Sequence, residues 1–253
     1  MKAKHLVPAI LMLLFSAGAI SLYDIAPKRT TSSIEQPAPE VPEPVYTYLS
    51  PYIKLSPYDE YFREAADSTG YDWTLIAAIA YTESRFDSTA VSHAGAQGVM
   101  QVMPNTLRGF DIPDSLHADN RTNIMAAAKL LKSLDGKVYF SRIEPEKERI
   151  KFVLASYNAG YGHVLDAMSL ARKYGYNRHI WENNVDSFLI HISKPEFYTD
   201  TLCRNGEFNG WRETLSFVRK VQNNWRKFST LQQNYTDSIM LVLANDSTKR
   251  IMQ

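Results

Sequence analysis

The chain has too few cysteines to build anything with them. Cys203 is the only one in 253 residues, so no disulfide can close within the chain and no thiolate cluster can hold a metal. A surplus of either charge is also missing: 28 Lys and Arg stand against 27 Asp and Glu. With no basic stripe interleaved with aromatics, nucleic acid is not an expected partner. The six histidines (His5, His93, His117, His163, His179, His191) are scattered without the HExxH pattern or a similar ligand spacing. Neither a metal nor a cofactor is expected. Alternating apolar and polar runs of strand type are absent, which points to a mainly α fold. Long apolar runs are absent too, with a single exception at the amino terminus.

That exception runs uncharged from residue 6 to residue 23, behind Lys2 and Lys4, and is densest in apolar residues between Ile10 and Phe15. It has the layout of a secretory signal, with Ala17-Gly18-Ala19 as a small-residue cleavage site. It is also nearly long enough to span a bilayer as an uncleaved anchor, although Pro8, Ser16 and Gly18 weaken that reading. No cysteine follows it, which argues against a lipid-modified anchor. Both alternatives export the rest of the chain, to the periplasm or cell envelope, and the second also tethers it to the inner membrane. Residues 24–57 carry seven prolines among Ser, Thr and Glu, the composition of an extended, semi-rigid spacer.

Helical signals begin at residue 58. Helices are expected over 58–67, over 73–82 behind Asp72 as N-cap, over 120–134 and over 145–157 with Pro145 at the first position. Others are expected over 162–174 and 211–228, with a short one over 99–103 stopped by Pro104. Residues 183–210 look irregular. Residues 230–253 read as a loosely attached tail in which Ile239 to Leu243 could dock.

The stretch 71–106 organises this domain. Leu75, Ile76, Ile79 and Ala80 form an apolar helical stripe, and Glu83 arrives just as that stripe ends. A lone glutamate at a helix end is most often a solvated surface residue. Against an apolar wall and the negative end of a helix dipole, however, its ionised form is disfavoured. That is one way to keep a general acid protonated at neutral pH. A polar turn follows, then Gly95-Ala96-Gln97-Gly98 and the run Val99-Met100-Gln101-Val102-Met103-Pro104. Further on, Tyr157-Asn158-Ala159-Gly160 ends one helix and Glu213-Thr214 begins another. Singly, the Tyr-Asn-Ala-Gly motif is a helix C-cap and the glycines are a helix connection. Tyrosine is the commonest aromatic, at 15 residues, which suits carbohydrate as well as packing.

Together and in this order, these segments resemble the catalytic domain of the family 1 lytic transglycosylases, the soluble lytic transglycosylase domain. The matching pieces are Glu83-Ser84, the run from Gly95 to Pro104, Asn123-Ile124, Tyr157-Asn158-Ala159-Gly160, and Glu213-Thr214 with Phe217-Val218. The likeness spans residues 58 to 228. After residue 171, where Phe197-Tyr198 falls, it is nearest to the membrane-bound F type. That type's amino-terminal solute-binding domain has no expected counterpart, because the proline-rich linker leads straight into the catalytic domain.

The resemblance implies a lysozyme-like α-helical domain at residues 58–229 with a catalytic cleft, acting as a monomer on peptidoglycan glycan strands. Glu83 would be the catalytic acid and Ser84 would help position the sugar. Ser92, Gln101, Met103 and Tyr157 would bind substrate, and Asn158 would support them. Phe217 also falls among the substrate-binding positions but departs from the family, which usually has tyrosine there, so one hydroxyl near the acid is missing.

The implied reaction cleaves the β-1,4 bond between N-acetylmuramic acid and N-acetylglucosamine without water, closing a 1,6-anhydro ring. Two-carboxylate glycosidases need a second acid across the bond, and Asp87, Asp111 and Asp114 follow no pattern that demands this role. A goose-type lysozyme, which delivers water to the same bond, and a non-catalytic murein-binding scaffold are the alternatives.

Overall fold

In the computed structural model, residues 50–251 are described, with side chains to residue 244. The signal or anchor segment at 6–23, the linker up to residue 49 and the last two residues lie outside the described part. Every regular element there is helical, with only isolated bridges joining Gln97 to Val91 and to Val102. None of these helices is long and apolar enough to cross a membrane.

The domain is arranged around α2 (Trp73–Ser84). Asp72 caps it, accepting from the Thr74 amide at 2.9 Å. The expected stripe is in fact a whole cylinder: every residue from Trp73 to Ala80 is buried. A helix apolar all round needs neighbours on several sides. Two of them are α1 (Asp59–Thr69), which also packs on α4 (Asn120–Asp135), and the long α9 (Trp211–Ile251). Polar clamps fix α9 to both ends of α2. Asn224 donates to the Thr82 hydroxyl at 3.0 Å, while Trp225 Nε1 donates to Asp72 at 2.9 Å. Next along the core come α5 (Glu146–Ala159), packed on both α4 and α9, and α6 (Tyr161–Lys173).

Three expectations need correcting. Residues 99–103 form no helix. Gly98 and Gln101 both take positive φ, at 76° and 48°, and Gln97 pairs with Val102 through both backbone bonds at 3.1 Å. The result is a tight turn, and Pro104 opens α3 (Pro104–Arg108) instead of stopping a helix. Residues 183–210 hold two short helices, α7 (Asp186–His191) and α8 (Pro195–Tyr198).

The presumed tail continues α9 as helix to Ile251. Its polar residues support the helix themselves, with Gln232 bonded to Thr236 and Gln233 to Asp237 one turn on. Gln232 also accepts from the Ile53 amide at 3.2 Å and donates to the Pro51 carbonyl at 3.0 Å, and Tyr235 donates to the Ser50 carbonyl at 3.3 Å. These bonds lay the start of the described chain along α9. Beyond them Met240, Leu241 and Val242 are exposed, so this part of the 239–243 run is undocked.

Candidate active site

Four segments converge at the C-terminal end of α2. Glu83 lies in its last turn, half-buried, and its carboxyl makes no hydrogen bond among the described residues. Burial pushes its pKa from 4.5 to about 8, and the negative charge of Glu213 adds to the shift. At pH 7 the group is therefore mostly protonated. Directly after it the chain is forced out of the helix: Arg85 and Phe86, neither of them glycine, take φ of 56° and 69°. Such conformations cost on the order of 1 kcal/mol or more each and persist only where surrounding contacts impose them. Here the Arg85 amide caps α2 on the Tyr81 carbonyl, and Phe86 packs against Phe62 and Tyr81.

The turn at 90–102 is the second segment. Ser84 donates to the Val99 carbonyl at 2.8 Å, tying the turn to the acid's own helix. Asn123, at the start of α4 and fully buried, fills the turn from beneath. Its Oδ1 accepts from the Met100 amide at 2.9 Å and its Nδ2 donates to the Gln97 carbonyl at 3.0 Å. Position 98 has to be glycine on two counts. Its φ is positive, and a Cβ there would sit 3.0 Å from the Asn123 side chain. Gln101 donates through Nε2 to the Ala90 and Gly98 carbonyls, at 2.9 and 3.0 Å, which holds its own left-handed backbone in place. Ser92 closes the base of the turn, accepting from the Ala96 amide at 3.0 Å. Met103 is 40% exposed at the start of α3.

The end of α5 is the third segment. Tyr157 donates to the Met100 carbonyl at 2.7 Å, and burial together with the charge of Glu83 holds its phenol well above the usual value of 10. Its ring stacks on Phe217 of α9, with centroids 6.2 Å apart and planes 8° from parallel. Phe217 is buried, so the phenylalanine serves as a packing surface that fixes the Tyr157 ring. The fourth segment is the first turn of α9. The buried Thr214 donates to Asn158 Oδ1 at 2.7 Å, which brings the exposed Glu213 toward the acid.

Glu83, Ser84, Tyr157, Asn158 and Phe217 are thus brought together, and Gln101 braces the turn beside them. No hydrogen bond joins Ser92, Gln101 or Met103 to Glu83 among the described residues. Two residues with a part in the site received no role from sequence reasoning: Asn123, which builds the turn, and Glu213, whose charge acts on Glu83. An acidic residue in the first turn of a helix ordinarily just complements the dipole, so Glu213 gave no separate signal. Among the described residues, no three His, Cys, Asp or Glu side chains are grouped to hold a metal ion.

This geometry suits proton transfer: one neutral carboxyl, unpartnered, beside a fixed phenol and a rigid amide-lined turn. Residues 60–180 match the transglycosylase SLT domain. The chain is similar to the membrane-bound lytic murein transglycosylase F of Desulfosudis oleivorans, 37% identical over 170 residues covering 67% of this chain and 36% of that one. It is also similar to the protein of the same name from Alcanivorax borkumensis, 36% identical over 169 residues, covering 67% of this chain and 34% of that one. It therefore spans about a third of the length of these curated relatives. Among solved structures, the 70 kDa soluble lytic transglycosylase of Escherichia coli is 21% identical with a TM-score of 0.44, covering 69% of this chain and 24% of that one. That likeness is too slight to argue from. Residues 60–180 are thus a transglycosylase SLT domain, in a chain similar over two thirds of its length to membrane-bound lytic murein transglycosylases F.

Proposed function

We propose that the protein is a lytic murein transglycosylase that cuts peptidoglycan glycan strands without consuming water. The observation that carries this reading is the half-buried Glu83 carboxyl, without a protein partner and with its pKa pushed up to about 8 by burial. Glu83 gives its proton to the glycosidic oxygen between N-acetylmuramic acid and N-acetylglucosamine as the C1–O bond breaks. The 2-acetamido group of the sugar stabilises the positive charge that develops. Glu83, now a carboxylate, takes the proton of the muramyl 6-hydroxyl, and that oxygen closes on C1 as a 1,6-anhydro ring. The proton returns to where it began and no water enters the product.

In this reading Ser84, Ser92, Gln101, Met103, Tyr157 and Asn158 line the sugar sites, on a lysozyme-like domain spanning 58–229 that works as a monomer. Glu213 raises the proton affinity of Glu83 and faces the positive charge that forms on the sugar. The amino-terminal run 6–23 exports the protein to the periplasm or cell envelope, as a cleaved signal or as an inner-membrane anchor. The 24–57 linker then spaces the domain from the membrane, and 230–253 forms a C-terminal extension.

Glu213 also supports a second reading, in which it activates water as the second carboxylate of a hydrolase. Digestion of purified murein separates the two. Mass spectrometry is expected to find anhydro-muropeptides, one water lighter than the reducing-end products; reducing ends alone would make the enzyme a hydrolase.

Glu213→Gln tests the electrostatic link. The reaction needs Glu83 protonated, so its rate falls as pH rises through about 8. Removing the neighbouring charge lowers the Glu83 pKa, so the alkaline limb of the pH–rate profile is expected to move to lower pH. An unmoved limb would dissociate Glu213 from the acid.

A further inference from the structure

The basic basin at the far end of α6 lies about 18 Å from Gly160, at 1.5 Å per helical residue. It is a cavity of about 370 Å³ lined by Ser169, Arg172, Lys173, Arg178 and Leu202. Only one of its three cations is neutralised: Lys173 pairs with Asp200. Arg172 and Arg178 form no ion pair among the described residues. Arg172 and Lys173 sit in the last turn of α6, where they complement the negative end of the dipole. Arg178 lies beyond the helix and is not explained that way.

Its guanidinium is held over the Tyr139 ring, 5.1 Å from the centroid. In that position Nε is shielded from solvent and has no hydrogen-bond partner. A buried N–H left unpaired is costly, and an anion would pair it. Arg142 adds to the local positive field: after burial, the charges of Arg178 and Arg142 depress the proton affinity of His179.

We propose that this basin binds an oxyanion, a carboxylate or a phosphate group, gripped by Arg178 together with Arg172, both in its lining. A guanidinium fixed in its plane offers parallel N–H donors matched to two oxygens of one anion, which a lysine cannot supply. The site stands apart from Glu83, and its occupancy does not depend on what Glu83 does.

The test follows the arginine Nε–H resonances by NMR while the full chain is titrated with inorganic phosphate, and separately with acetate, against sodium chloride of matched ionic strength. A saturable shift of the Arg178 Nε–H is expected with one of the two oxyanions, and the one that acts distinguishes a phosphate-bearing source from a peptide carboxylate. Arg178→Lys keeps the charge and removes Nε–H, and Arg172→Ala removes the second, exposed arginine of the lining. Each is expected to weaken binding at least tenfold with the fold unchanged, read from the remaining Arg172 Nε–H in Arg178→Lys and from the Arg178 Nε–H in Arg172→Ala. A shift equal to that in chloride, or wild-type affinity in both variants, would overturn the proposal.

Discussion

Glu83→Gln is expected to abolish cleavage of purified murein, with a loss of at least about 10³-fold, and to make the protein more stable above neutral pH. The first effect follows from the chemistry: glutamine fills the same space but can neither give a proton to the glycosidic oxygen nor take one from the 6-hydroxyl. The second follows from linkage. The folded-state pKa of about 8 lies above the ordinary 4.5, so the folded state binds this proton more tightly than the unfolded chain does. That contribution is complete below about pH 4.5 and is lost as pH rises through 8. At about 1.4 kcal/mol per pK unit, discounted for partial exposure, the loss is about 2–4 kcal/mol. Thermal denaturation of the wild type and the variant at pH 5 and pH 9 checks this. Their difference should widen in the variant's favour at the higher pH. Equal stability at both would mean that Glu83 is not held in the environment described.

Asn123→Ala is expected to damage stability and activity together. The buried Met100 N–H loses its partner, at roughly 1–3 kcal/mol for a group left unpaired, while the Gln97 C=O keeps only the Val102 N–H. A loss of about 1–3 kcal/mol corresponds to a fall in Tm on the order of 2–12 °C for a domain of this size. Activity falls as well, because the Met100 carbonyl receives the Tyr157 hydroxyl and the Val99 carbonyl receives Ser84. Asn123→Asp keeps the acceptor for Met100 and loses the donor to Gln97, so it should fall between wild type and alanine. A Tm unchanged in Asn123→Ala would show that the turn holds itself.

How much of this the sequence discloses depends on the range of the interaction. Asp72, the apolar run behind it and Glu83 at its end are local signals, and α2 forms as they indicate. The turn at 97–102 defeats local reading. Val99-Met100-Gln101-Val102-Met103 has helical composition, yet Asn123, more than twenty residues away, pairs with its backbone and makes the left-handed turn pay. Glu213 is further still from Glu83 in sequence, and only the packing of α9 against α2 and α5 brings the two charges into range. Residues 230–251 are misleading for a different reason. Their polarity resembles a tail, but one-turn side-chain bonds and the strapping of Ser50–Ile53 extend the helix.

Everything turns on a single carboxyl, Glu83, being held neutral at pH 7. A titration of the glutamate side-chain carboxyls by ¹³C NMR, with Glu83 assigned by its loss in Glu83→Gln, measures this directly. A midpoint near 8, falling in Glu213→Gln, is the expected result. A midpoint near 4.5 in the wild type would leave Glu83 ionised at neutral pH and without a proton to give.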